Sequence, residues 1–308
     1  MLTNEFGYRV HEVDKFIQLY NPCGNQRSVW NRSFLMTYTD LKLDQDGEVL
    51  KITVDRPEVL NAQSRIMREE LDDAFDNAAT DESVKVVIIA GSGANFSAGH
   101  DLGSPQEMAD REKRPYPPGT AGEYERSWQQ NVANTFRWRD FPKPTIAQVQ
   151  GVCIMGGIIL ASSCDLIVAS QDARFSDRTV RWGGPHVQYL GLPYEIGIRK
   201  AKEYLFTGDW MTALEAEKLG LVNKVVPLDQ LEEETMNLAQ RIALQDAFAL
   251  RLSKASLNQV QDQMGYRNSI MSGFHNHALG LSYRREIYDG ERVTSIDRAR
   301  ERDKKFGD

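Results

Sequence analysis

The sequence predicts an α/β fold built on parallel strands, and three observations support it. Short apolar runs rich in Val and Ile recur at Val84–Ala90, Thr145–Val149 and Asp165–Ser170. Segments of helical period separate them, so the order reads strand, helix, strand, helix. From about Asp209 onward the pattern turns helical.

Taken in order, residues 1–35 are aromatic and polar with no clear period, and Met36 reads as a fresh start. Residues 1–35 are therefore expected to be an N-terminal extension, 36–228 the α/β core and 229–308 a C-terminal helical region. Tyr38 to Val54 alternates around Asp46-Gly47, the signature of a hairpin. Gln63 to Thr80 places Met67, Leu71, Ala74, Phe75 and Ala78 on one helical face. The stretch Ser104 to Glu123, with Pro115, Pro117, Pro118 and Gly119, reads as a loop. Tyr124 to Arg139 is expected to be one helix. Thr212 and Gly220 read as the two caps of a short helix, with a last strand at Leu221 to Val226. Helices are expected at Asp229 to Ala243, Ala247 to Val260 and Gly265 to Tyr288.

Bulk properties narrow the function classes. The chain has 308 residues and a formal net charge of −7, and no run of Lys or Arg suggests a face that tracks phosphates. Nucleic acid is not an expected partner. The mixed charges of Arg298 to Lys305 suit a solvated helix end. The N-terminus lacks the apolar core of a signal peptide, and Val152 to Ala161 is too short to span a bilayer, so a cytoplasmic protein without membrane contact is expected. Three cysteines, Cys23, Cys153 and Cys164, suit a reducing compartment, the last two as small core hydrophobes. His11, His275 and His277 have no metal-ligand spacing, and no metal is expected.

Two glycine-bearing segments follow apolar strands: FSAGHDL at 96–102 and GVCIMGG at 151–157. Glycine permits close approach and unusual φ angles. The first N–H groups of a helix have no intrahelical partner and carry partial positive charge. Two such groups converging on one carbonyl oxygen would form an oxyanion hole. The Ala90-Gly91-Ser92-Gly93 stretch does not complete a dinucleotide-binding pattern, because Phe96 stands where the third glycine belongs.

These segments, with DRPEVLNA at 55–62, QGVCIMGGIILASSCDLIVAS at 150–170, TALEAEKLGLVNKVVP at 212–227 and FALRLSKASL at 248–257, resemble the enoyl-CoA hydratase/isomerase (crotonase) superfamily, in family order from about Met36 to Phe306. The resemblance implies a spiral of ββα turns with C-terminal helices, assembled as a homotrimer or homohexamer. It implies an acyl-CoA thioester substrate and no cofactor beyond the coenzyme A that the substrate carries. It makes the backbone N–H groups of His100 and Gly156 the oxyanion donors. Ala98 would line the coenzyme A path, and Ala62, Ile159, Thr179 and Tyr189 would border the substrate. Asp101 falls at the loop's acidic position, where capping the following helix is its expected work.

The sequence departs from the hydratase pattern at both glutamate positions, which here read Ile159 and Thr179. Hydration needs one group to activate water and one to deliver a proton, and neither residue serves. Replacements could be Asp177, which would share a strand face with Thr179, or His186 in the segment Gly183 to Tyr189. Arg178 would then point away, into a surface ion pair. The apolar Ile158, Ile159 and Leu160 suit a bulkier acyl group. Three functions follow: isomerase, hydrolase or lyase chemistry on such a substrate; an ordinary hydratase with relocated acid/base groups; or a non-catalytic CoA-binding protein.

Overall fold

The computed structural model describes residues 38–287 together with Glu301, Lys304 and Lys305. The 1–35 extension, with His11 and Cys23, lies outside the described residues. Strands β1 (Leu41–Asp46) and β2 (Val49–Val54) form the expected hairpin, Asp46 pairing with Val49. Gly47 takes φ +58° in the two-residue loop, as such a turn requires. Helix α1 (Arg65–Thr80) follows, capped by the Ser64 hydroxyl, which accepts from Met67 N. Then come β3 (Val86–Gly91), α2 (Pro105–Lys113) and α3 (Gly119–Trp128). A π turn over Gln129–Ala133 leads into α4 (Asn134–Arg139).

The second half carries β4 (Thr145–Val149), β5 (Val152–Ile154), α5 (Gly156–Ser163), β6 (Leu166–Ser170) and β7 (Arg174–Ser176). After them stand α6 (Leu192–Ile196), α7 (Ile198–Thr207), β8 (Met211–Thr212), α8 (Ala213–Leu219) and β9 (Lys224–Val226). The described chain closes on α9 (Leu231–Ala243), α10 (Ala247–Gln263) and α11 (Tyr266–Ile287).

One sheet has the order β1-β2-β3-β4-β6-β9, all parallel except the opening hairpin. The smaller sheet runs β5-β7-β8. Alternation along β3 explains how the large sheet is covered. Val87 and Ile89 pack with Met67, Leu71 and Phe75 of α1 on one face. On the other, Val86 and Ile88 pack with Leu231, Ala239 and Ala243 of α9. Both faces are buried, which is why the strand reads as a continuous apolar run. A third cluster joins Val132, Ile159, Val187 and Tyr189 to Tyr266, Ile270 and Phe274 of α11, and the site lies beside it.

Several expectations are corrected. The 104–123 stretch is largely helical. Ser104 caps α2 with Pro105 in its first turn, and Pro118 is the N-cap of α3. Prolines there start helices, because the first turn needs no N–H. Residues 124–139 are helical but broken by the π turn. The strands β5 and β7 have three residues each, too few for a periodic signal, and α6 and α7 stand before the expected helical region. Cys153 lies in the core, and burial pushes its thiol well above the ordinary value. No helix among the described residues is long and apolar enough to cross a membrane.

Candidate active site

The two glycine-bearing loops meet. Ser97 N donates to Val152 O and Ile154 N to Ser97 O, both at 3.0 Å, so the first loop runs parallel to β5. On its other side Gln63 N donates to Gly99 O at 2.7 Å and Asp101 N to Gln63 O at 3.0 Å. These bonds flank His100, whose own N–H therefore faces away from Gln63. Gly156 opens α5, where its N–H has no intrahelical acceptor. Gly99 has φ +89°, and a Cβ there would stand 2.9 Å from Gly156 N and 2.7 Å from Ile154 O. Only glycine lets the loops approach this closely.

The His100 imidazole is held behind them. Its Nδ1 is 3.1 Å from Arg68 Nη2 and its Nε2 3.1 Å from Gln188 Oε1. A guanidinium only donates, so Nδ1 accepts and the proton belongs on Nε2, directed at Gln188. Burial, reinforced by the Arg68 charge, holds the imidazole well below its ordinary pKa, so the ring is neutral at pH 7. A Cβ on Gly156 would strike this ring at 2.8 Å. Gln63, Arg68 and Gln188 escaped the sequence reading, because a polar residue beside a helix start carries no periodic or spacing signal.

Beside Met155, which precedes Gly156, lies a pocket whose walls also include Ile158, Ile159, Asp177, Val187 and Tyr189. Leu160 is not among them; it faces the main core. Asp177 and Thr179 do not share a strand face. Strand β7 ends at Ser176, and Thr179 starts a 3-10 turn over Thr179–Trp182. They meet by another route. Asp177 Oδ1 accepts from Thr179 N at 2.9 Å and from Thr179 Oγ1 at 2.5 Å. Asp177 Oδ2 makes one long contact, 3.4 Å from Val187 N. Arg178 is buried rather than at the surface, with its guanidinium 4.3 Å from the Trp210 ring centroid.

His186 stands apart from these residues. Its Nδ1 lies 2.6 Å from Val187 O, its ring packs toward Gly273 of α11, and it lines no part of the pocket. The reason is local: Val187 turns inward, so its neighbour turns out. Tyr189 is buried against Phe136 in an edge-on contact at 5.2 Å, and burial pushes its phenol well above the ordinary value. Asp101 is occupied: it accepts from Gly103 N and Ser104 N and pairs with Arg56 at 3.0 Å. It braces the residue that caps α2 rather than capping the helix itself. Ala62 and Ala98 are half-buried, their N–H groups bonded to Val59 O and Leu60 O.

A family profile described as Enoyl-CoA hydratase/isomerase matches residues 44–272. The chain belongs to the enoyl-CoA hydratase/isomerase family. Members of this family process acyl-CoA thioesters, and the structural neighbours carry the crotonase fold. A Mycobacterium tuberculosis protein named "Putative enoyl-CoA hydratase EchA13" is 42% identical over 258 residues, 80% of this chain and 81% of that one. A crotonyl-CoA hydratase of Syntrophomonas wolfei is 33% identical over 232 residues, 73% of this chain and 83% of its own. A solved structure titled as a probable enoyl-CoA hydratase from Mycobacterium smegmatis superposes with TM-score 0.75 at 41% identity, covering 80% of this chain and 97% of that one. Against the hydratase pattern, Ile159 is a pocket wall, and the Thr179 hydroxyl is committed to Asp177.

Proposed function

We propose that this chain polarises an acyl-CoA thioester carbonyl with the N–H groups of His100 and Gly156 and moves protons with Asp177. The observation that carries this reading is the position of Asp177. Among the described residues it is the one carboxylate on the wall of an otherwise largely apolar pocket, which also holds Ile159. Thr179 binds one carboxylate oxygen with two donors, which fixes the group and leaves the other oxygen lightly engaged.

One carboxylate suits a reaction in which a single group takes up and returns a proton. Double-bond isomerisation is such a reaction. The carboxylate removes a proton from the carbon beside the thioester carbonyl, and the C–H electrons pass into a dienolate held by the two N–H groups. The same proton then returns at the γ carbon, so water is neither added nor lost. Isomerase chemistry on a bulky, apolar acyl-CoA is therefore the favoured reading, and hydrolase or lyase chemistry would place the same carboxylate against a water. The names of the relatives favour a second reading, an enoyl-CoA hydratase with relocated acid/base groups.

The test is a panel of 2-enoyl and 3-enoyl acyl-CoAs with wild type, Asp177→Asn and His186→Ala. A general acid–base group typically contributes about 10²–10⁴-fold, so Asp177→Asn should lose that much while His186→Ala keeps near wild-type rates. Loss on His186→Ala alone would transfer the role. No turnover across the panel would favour a non-catalytic CoA-binding protein.

A further inference from the structure

Gln63 touches both donor loops. Its backbone bonds Gly99 and Asp101 on either side of His100. Its side-chain Nε2 donates to Gly156 O at 2.9 Å and lies 3.4 Å from Ser97 Oγ. Its Oε1 accepts from Arg68 Nη2 at 2.5 Å. One buried residue thus holds the first loop through its main chain and the second through its carboxamide.

Arg68 explains why the carboxamide cannot turn. The guanidinium is buried and makes no ion pair with a carboxylate among the described residues. Neutral acceptors surround it instead: Gln63 Oε1, His100 Nδ1 and the Gln130 carbonyl in the π turn. A flipped amide would aim its NH₂ group at this cation and leave a buried donor unpaired, which is costlier still beside a charge. The cation on Oε1 also polarises the amide, which strengthens the N–H donated to Gly156.

We propose that Gln63 is a positioning residue: it sets the separation of the His100 and Gly156 N–H groups, with Arg68 locking its carboxamide. The proposal rests on the reading of those two groups as the pair that polarises the carbonyl. Ser97, Gly99 and β5 bring the loops together, but among the described residues only Gln63 ties the residue on each side of His100 to the Gly156 peptide.

Gln63→Glu and Gln63→Leu separate positioning from packing. The Glu variant keeps the size and pairs with Arg68, yet its carboxylate cannot donate to Gly156 O. The Leu variant loses both bonds. The probe is para-dimethylaminocinnamoyl-CoA, whose absorption moves to longer wavelength when its thioester oxygen accepts hydrogen bonds. Wild type should bind it with a red shift. Both variants should still bind it, with most of the shift lost. Turnover of any acyl-CoA the wild type converts should fall by about 10²-fold with KM little changed, the usual scale for a misplacement of about 1 Å. If the Leu variant fails to fold, the Glu variant decides. A folded Gln63→Glu that keeps the full shift and rate overturns the proposal alone. A wild type that shows no shift overturns it together with the functional reading.

Discussion

Met155 is the residue under most evident strain. It precedes Gly156 with φ 48° and ψ −108°, a combination that side chains rarely adopt, and its side chain lines the pocket. Such a conformation typically costs about 1–3 kcal/mol. Met155→Gly releases that strain while loosening the unfolded chain by roughly 0.5–1 kcal/mol. Thermal or urea unfolding should therefore show stability unchanged or raised. A fall of about 2–5 kcal/mol, as when a buried Met is truncated, would show that its contacts outweigh the strain. Legibility at this scale is uneven. Gly99 and Gly156 stand out in the sequence because glycine next to a strand end usually serves a tight turn or a close approach. Gln63 and Arg68 do not, because their roles depend on which loops the fold brings beside them. Strand periodicity points to Asp177, but it lies just past the end of β7 and is held by Thr179 at the start of a 3-10 turn.

Among the elements, α11 carries a titratable group with a clear consequence. His277 is buried, its Nδ1 directed at the His186 carbonyl, and His186 and Arg284 are its charged or titratable neighbours. Burial is the main cause that pushes its pKa down to about 4; the hydrogen bond to the His186 carbonyl opposes it, and the charges of His186 and Arg284 add a smaller lowering. The sign follows directly. Between about pH 6.5 and 4 the unfolded chain binds a proton that the folded chain refuses, so stability falls as pH falls through that window. His100 is depressed in the same sense. Urea unfolding at pH 7 and pH 5 should show the loss, and His277→Gln should make it smaller. A stability independent of pH across this range would contradict the burial of an uncharged ring. Element boundaries are legible where a periodic face exceeds two turns, as in α1, α9 and α10. They are hidden where prolines start helices, at α2 and α3, and where strands have three residues.

For the whole molecule, the core order of strands and helices is legible because buried parallel strands leave continuous apolar runs. Assembly is a matter of surface. Phe248, Leu252, Leu257, Val260 and Met264, on α10 and at its end, and Leu279 and Tyr283 on α11 are more than half exposed. Leu257, Val260 and Met264 share one side by their i, i+3, i+7 spacing. An apolar stripe of this kind marks an interface, and we propose a homotrimer or homohexamer formed through these helices. Light scattering should give three or six times the 34.9 kDa chain mass, and Leu257→Asp with Val260→Asp should reduce it. A wild-type monomer at micromolar concentration would contradict the proposal.

The resemblance to hydratases puts Ile159 and Thr179 where their two glutamates stand, and we propose that the chain keeps the family fold while losing fast hydration. The most direct test is the initial rate at which crotonyl-CoA loses its conjugated enoyl thioester absorbance with the wild-type protein. Each absent acid–base group typically costs about 10²–10⁴-fold, so hydration should be slower by at least that factor than in a hydratase bearing both glutamates. Hydration at the rate of such an enzyme would contradict the account.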